Sequence, residues 1–305
     1  MQNLKVGVIG VGHLGEKHAR IYSKLLSKVN LVGICDINEQ RLKEVGTQFA
    51  VGQFNNHLKL LDKVEAVSIC VPTNLHASIA KDFLSNECCV LVEKPITPTL
   101  QEADELISLA KKKNLILQVG HVERFNSAYQ AIKVLAKNPK FVECHRLSPF
   151  PNRSLDIGVV LDLMIHDIDI ILGLVESKIS DIQAVGVKVL TDYEDIANAR
   201  ITFKNGCVSN LTASRVSNET MRKIRLFLKE TYISLDYCLQ EAFIYKKLGK
   251  LISKHSLPIE KEEPLKKELE SFVDCVSSHQ KPLVSGIEGR AALELALKII
   301  QKIWK

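Results

Sequence analysis

The sequence predicts an α/β protein of two domains: a doubly wound parallel sheet over residues 1–120, then an α/β domain over 121–305 with an open, mostly antiparallel sheet. Three observations carry this reading. Strands alternate with helices through the first 120 residues. A glycine-rich turn follows the first strand. After Gly120 the pattern changes to successive strands joined by short turns.

In the first part, apolar runs at Leu4–Ile9, Leu31–Cys35, Ala66–Val71, Val90–Val92 and Leu115–Val119 read as strands. Between them, His13–Leu26, Asn38–Phe49, His76–Ser85 and Thr99–Lys113 have helical character. Thr99 with Glu102 three residues later has capping-box spacing. Such alternation implies right-handed crossovers and a parallel sheet. In the second part a helix at Ser127–Ala136 and a strand at Lys140–Arg146 lead to a helix near Val159–Val175. Strand-like runs follow at Ile179–Val189, Ile196–Phe203, Cys207–Arg215, Lys223–Leu228 and Tyr232–Leu235. Lys204-Asn205-Gly206 is a hairpin turn, and helices at Leu265–Ser278 and Gly289–Ile303 close the chain.

Composition narrows the function classes. The 305 residues are 46% hydrophobic and 25% charged, an ordinary globular balance. The net charge of +6 is dispersed over short lysine groups with no basic stripe interleaved with aromatics, which argues against a nucleic-acid partner. Eight cysteines include no C-x-x-C pair, and Cys88-Cys89 are adjacent, so neither a disulfide framework nor a zinc knuckle is expected. Reduced thiols and a start that leads straight into a strand suggest a cytoplasmic protein without a targeting segment. No uninterrupted apolar run reaches membrane-spanning length.

Gly10-Val11-Gly12-His13-Leu14-Gly15 fits G-x-G-x-x-G between a strand and a helix, and Asp36 ends the second strand 21 residues past Gly15. Gly10 permits the tight turn, Gly12 lets a pyrophosphate approach the backbone, and Gly15 lets helix and strand pack closely. The helix start offers free N–H groups and partial positive charge to phosphates. Asp36 accepts from ribose hydroxyls and repels a 2′-phosphate, which favours NAD; Arg41 within reach of a phosphate keeps NADP open. This is the fingerprint of a Rossmann domain.

Asp162, His166 and Asp169 are spaced i, i+4, i+7 and share one face of an otherwise apolar helix. Three readings stand together. His166, with an ordinary pKa near 6.5, suits proton transfer, with Asp162 one turn earlier to orient it. Asp and His at i, i+4 also suit a metal, though no third ligand is evident and none is expected. The carboxylates also suit a structural role capping backbone groups. Ligands of an open α/β sheet bind at the carboxyl ends of its strands. That edge should carry Pro72, Thr73, Asn74, His76, Glu93, Lys94 and His121 beside the cofactor turn.

With these residues in view, the chain resembles the glucose–fructose oxidoreductase/inositol dehydrogenase (Gfo/Idh/MocA) family. The motifs are Gly10–Gly15 with Asp36, Pro72-Thr73-Asn74-Leu75-His76, Glu93-Lys94-Pro95, Asp162 with His166, and Ser285–Arg290. The resemblance spans nearly the whole chain. It implies NAD(P)-dependent, reversible oxidation of a sugar, nucleotide-sugar or cyclitol hydroxyl, with Lys94, Asp162 and His166 at the family's catalytic positions. It also implies a homodimer or homotetramer, because the open sheet often forms a contact between copies. The stretches Gly120–Asn126 and Asp156–Asp162 look closest to bacterial members acting on UDP-N-acetylglucosamine-type sugars. Arg124, Arg153 and Asp169 are substrate candidates by position. Two other readings stay open: a non-catalytic NAD-sensing protein, and a reductase of another small unsaturated ligand.

Overall fold

The computed structural model describes residues 3–150 and 157–305, which form two units: Met1–Val122 with Leu265–Arg290, and Glu123–Pro264 with Ala291–Lys305. Among the described residues no helix is long and apolar enough to cross a membrane.

The first unit is built on a six-stranded, all-parallel sheet. Its strands are β1 (Leu4–Ile9), β2 (Val29–Cys35), β3 (Gly52–Phe54), β4 (Ala66–Ile69), β5 (Cys89–Glu93) and β6 (Leu117–Gly120), in the spatial order β3-β2-β1-β4-β5-β6. The helices of this unit are α1 (His13–Tyr22), α2 (Glu39–Phe49), α3 (His76–Ser85) and α4 (Leu100–Lys113). The expected capping box starts α4: Thr99 Oγ1 accepts from Glu102 N–H at 3.3 Å, and Thr99 N–H donates to the Glu102 carboxylate at 3.1 Å. Strands β4 and β5 are buried residue after residue, as parallel strands covered on both faces must be. The strand β3 has no counterpart among the runs read from the sequence.

The second domain was expected to take everything after residue 120, yet α7 (Pro264–Ser278) groups with the first unit. Its apolar stripe, Leu265, Leu269, Phe272, Val273 and Val276, is buried in the same core as Val6, Val8 and Leu91 of the parallel sheet. An amphipathic helix belongs where its stripe is covered, not where the chain order puts it.

The second unit is an eight-stranded sheet with one buried face. After the short helix α5 (Ser127–Lys133) come β7 (Phe141–Leu147), α6 (Ile165–Leu174), β8 (Ile179–Val187), β9 (Ile196–Phe203), β10 (Val208–Ser214), β11 (Met221–Leu228), β12 (Thr231–Asp236), β13 (Glu241–Leu248) and β14 (Leu251–Ser256). The spatial order is β14-β13-β12-β11-β7-β10-β9-β8, antiparallel except for β10 beside β7. Alternate residues (Val142, Cys144; Ile224, Leu226; Ile233, Leu235) face a core shared with α6. The last helix, α8 (Gly286–Ile303), adds Leu295 and Ile299 to that core.

Candidate active site

The glycine turn leaves β1 as the motif requires. Gly10 sits at φ +81°, in the left-handed region that favours glycine. A Cβ on Gly15 would lie 1.8 Å from the Gly10 carbonyl oxygen, so α1 can pack this close only with hydrogen there. A Cβ on Gly12 would meet no protein atom within 4 Å, so the space in front of it is open. These are the conditions for a pyrophosphate lying on the turn with α1 pointing its N-terminus at it, and the residues fit a dinucleotide. His13 is exposed and Leu14 half-buried at the start of that helix.

Asp36 follows β2 and is half-buried. Its Oδ2 accepts from Val11 N–H at 2.7 Å and its Oδ1 from Asn38 N–H at 2.8 Å. The carboxylate therefore organises the glycine turn. Arg41 is held too: its Nε donates to the Val11 carbonyl at 3.0 Å, while the guanidinium pairs with Glu16 and Glu44.

Because the sheet is parallel, the segments after β4, β5 and β6 lie on the same edge as this turn. Pro72 and Asn74 are exposed and Thr73 is half-buried. His76 is not open to a ligand: it is 1% exposed, its Nδ1 lies 2.8 Å from the Pro95 carbonyl oxygen, and its Nε2 lies 2.9 Å from that of Val71. The ring staples two loops of the edge together. Burial lowers its pKa, with the Pro95 and Val71 carbonyls pulling the other way. Glu93 is likewise turned inward, its Oε1 3.2 Å from Nε2 of the buried His18. Lys94, next in the chain and half-buried, follows a buried strand and precedes Pro95 through a cis peptide. His121 is 1% exposed.

His18, Cys70 and Glu93 bring three ligand-type atoms within 4.8 Å of one another. Burial first, then the carboxylates of Glu93 and Glu268, push the Cys70 thiol well above its ordinary pKa, which favours the thiol over the thiolate a metal would need.

In the second unit, Asp162 lies in a π-helical turn, Val160–Met164, that runs into α6 at Ile165. The N–H of Ile165 donates to the Val160 carbonyl five residues back, so the face drawn from an ideal α-helical period is rewound here. Asp162 and His166 remain partly exposed, whereas Asp169 is 2% exposed. It is taken up by Arg124, which donates from Nε at 2.6 Å and from Nη2 at 3.0 Å to its carboxylate. Arg124 and Asp169, both placed among the substrate candidates, are thus a buried ion pair in which each charge already has its partner. Arg153 lies outside the described residues.

Several residues escaped the sequence reading. The Glu194 carboxylate accepts from Val160 N–H at 3.3 Å at the start of the helix that carries Asp162 and His166, and a Cβ on Gly158 would collide with it at 2.0 Å. Behind that helix, Arg146 donates to Asp167 at 3.0 and 2.8 Å and to Glu123 at 2.9 Å. Asp167 stands as a charge inside an apolar run, while Glu123, Arg146 and Glu194 lie in mixed stretches that carry no such mark. His18 had a better signal, a histidine on the inward face of the cofactor helix.

Comparison with known proteins agrees with this architecture. Residues 4–121 match the family described as "Oxidoreductase family, NAD-binding Rossmann fold", and residues 133–233 match "GFO/IDH/MocA C-terminal domain". The chain is 37% identical over 306 residues to UDP-N-acetylglucosamine 3-dehydrogenase of Acidithiobacillus ferrooxidans, covering 98% of this chain and 97% of the relative. It superposes on the solved structure of that protein with a TM-score of 0.94, over 99% of this chain and 98% of the other. Myo-inositol 2-dehydrogenase of Thermotoga maritima is 27% identical over 96% of this chain and 94% of its own length. The glycine turn, the strand-edge Glu-Lys-Pro segment and full-length identity of this degree place the chain in the GFO/IDH/MocA family of NAD-binding oxidoreductases.

Proposed function

We propose that the protein is a dehydrogenase that removes hydride from a ring hydroxyl carbon of a nucleotide-linked amino sugar of the UDP-N-acetylglucosamine type. One observation carries this: full-length identity of 37% to a UDP-N-acetylglucosamine 3-dehydrogenase, above the 27% to the inositol enzyme. The bound nicotinamide supplies a two-electron hydride acceptor. His166 takes the hydroxyl proton as the carbon–oxygen double bond forms. Its Nδ1 is buried, so Nε2 is the nitrogen assigned to the proton. Asp162 orients the ring and stabilises the imidazolium. Lys94 donates a hydrogen bond to the reacting oxygen and stabilises the negative charge that develops there. In reverse the same groups return the proton to a keto sugar.

The same reading makes the protein a cytoplasmic homodimer or homotetramer. In support, the outer face of the second sheet carries a ladder of Phe141, Phe227, Tyr232 and Tyr245, with successive ring centroids 5.5, 4.9 and 4.8 Å apart. Sedimentation velocity measures the state.

The test of function is NADH formation with UDP-N-acetylglucosamine, other UDP-sugars, free sugars and inositols. Turnover greatest with the UDP-amino sugar is expected. Greatest turnover with a cyclitol or a free sugar overturns the substrate assignment. Tight NADH binding with no turnover on any member of the panel favours the NAD-sensing alternative.

A further inference from the structure

The adenosine end of the cofactor site contains an arrangement that a motif does not describe. Val11, inside the glycine turn, has both backbone polar groups clamped from neighbouring elements. Its N–H donates to Asp36 at 2.7 Å, and its carbonyl accepts from Arg41 Nε at 3.0 Å. Arg41 is then engaged along its whole guanidinium. One terminal nitrogen pairs with Glu16 in the first turn of α1, and the other lies 3.3 Å from Glu44, one turn further along α2. Arg41 thus stands beside Asp36, where a Rossmann domain that takes NADP uses an arginine for the 2′-phosphate, yet each of its three nitrogens already donates to a protein acceptor.

We propose that Glu16 is a specificity-determining residue: it holds Arg41 against the glycine turn and withholds its guanidinium from a 2′-phosphate. The inference rests on dinucleotide binding at that turn and deepens the preference for NAD. A 2′-phosphate approaching this corner meets the Asp36 carboxylate and finds the adjacent arginine committed to two others. To recruit Arg41 it must displace Glu16, a charge-assisted partner already in place. Asp36 repels the phosphate, and Glu16 removes the remedy. The pair is partly exposed, with side chains 31% and 34% accessible, so it adds little to stability and its loss is tolerated by the fold.

The test titrates the full chain with NADH and with NADPH, following cofactor fluorescence, in the unaltered protein, in Glu16→Gln and in Glu16→Gln/Arg41→Ala. Glu16→Gln should improve NADPH affinity relative to NADH by about tenfold, the scale of one charge-assisted contact. The double variant should lose that gain. An unchanged ratio in Glu16→Gln overturns the proposal. So does a gain that persists in the double variant, since removing a negative charge would then suffice without Arg41. If the unaltered protein binds NADPH more tightly than NADH, the preference for NAD fails instead, and the two failures are told apart in the first titration.

Discussion

Nε2 of His18 lies 3.2 Å from Oε1 of Glu93, with the imidazole fully buried. His18 sits on α1, the helix opened by the glycine turn, and Glu93 is the last residue of β5. The other Glu93 oxygen accepts from Lys94 N–H at 3.3 Å. The contact therefore ties the cofactor helix to the backbone of the proposed catalytic lysine. His18→Ala should cost about 0.5–3 kcal/mol of stability, because it empties a fully buried site beside the Glu93 carboxylate. Turnover should fall while NADH affinity changes only a few-fold, and His18→Gln, which keeps a donor near Nε2, should restore much of it. Denaturant titration and steady-state kinetics measure the two effects. Turnover in His18→Ala equal to that of the unaltered protein would remove the positioning role.

The two inner glycines of the turn should respond differently to the same methyl group. At Gly15 a Cβ would lie 1.8 Å from the Gly10 carbonyl oxygen, so Gly15→Ala must push α1 off the strand and lower the melting temperature. At Gly12 the methyl meets no protein atom within 4 Å, so Gly12→Ala should melt like the unaltered chain. It should nonetheless weaken NADH binding, because the methyl enters the space a pyrophosphate needs. Thermal melts paired with fluorescence titrations separate the two. Unweakened NADH binding by Gly12→Ala would mean that the pyrophosphate lies elsewhere.

Lys94→Ala and His166→Ala should each lower turnover by about 10²–10⁴-fold, the usual range for a positioned proton-transfer group or a donor to a developing oxyanion. NADH affinity should stay within a few-fold, because neither residue belongs to the glycine turn. Single-turnover measurements with saturating NAD and the UDP-amino sugar read the chemical step directly. A variant that keeps full turnover loses its assigned role.

The parallel sheet was legible because its longer strands are mostly apolar runs closed within a few residues by a glycine, proline or aspartate. Edge elements were not. The strand β14 is exposed at nearly every position, so burial imposes no alternation on Leu251–Ser256, and β3 is three residues paired to β2 alone. Asp162 and His166 were singled out by local spacing, and across the π-helical turn both stay partly exposed. The pairing of Arg124 with Asp169 was not legible for the opposite reason: it spans 45 residues, and spacing along one helix cannot reveal what its third acid meets. The stripe on α7 announced a buried face but not which sheet would cover it.

The last prediction concerns acid stability. Asp195 and Arg215 are both fully buried and 2.7 Å apart. Oδ2 of Asp195 accepts from the N–H groups of Val189, Leu190 and Thr191 at 2.8, 2.6 and 2.9 Å, and Oδ1 from the Thr191 hydroxyl at 2.7 Å. One carboxylate therefore gathers the connection from β8 to β9, next to Glu194 at the start of the helix that bears His166. Burial alone would raise the Asp195 pKa; the Leu190 N–H, the Arg215 guanidinium and Thr191 outweigh it and hold the carboxyl well below the usual carboxylate range. A folded pKa below the unfolded value of about 3.9 makes the stabilisation complete above that value. It drains away as pH falls from there toward the folded pKa, because the unfolded chain takes up the proton first. Asp195→Asn should cost about 3–5 kcal/mol at neutral pH, since it strands Arg215 as a buried charge without its partner. The gap between the unaltered protein and the variant should hold steady down to about pH 5 and narrow below about pH 4. Urea titrations from pH 7 to pH 3 measure that gap, and one that stayed constant over the whole range would show that Asp195 is not held ionised in the folded state.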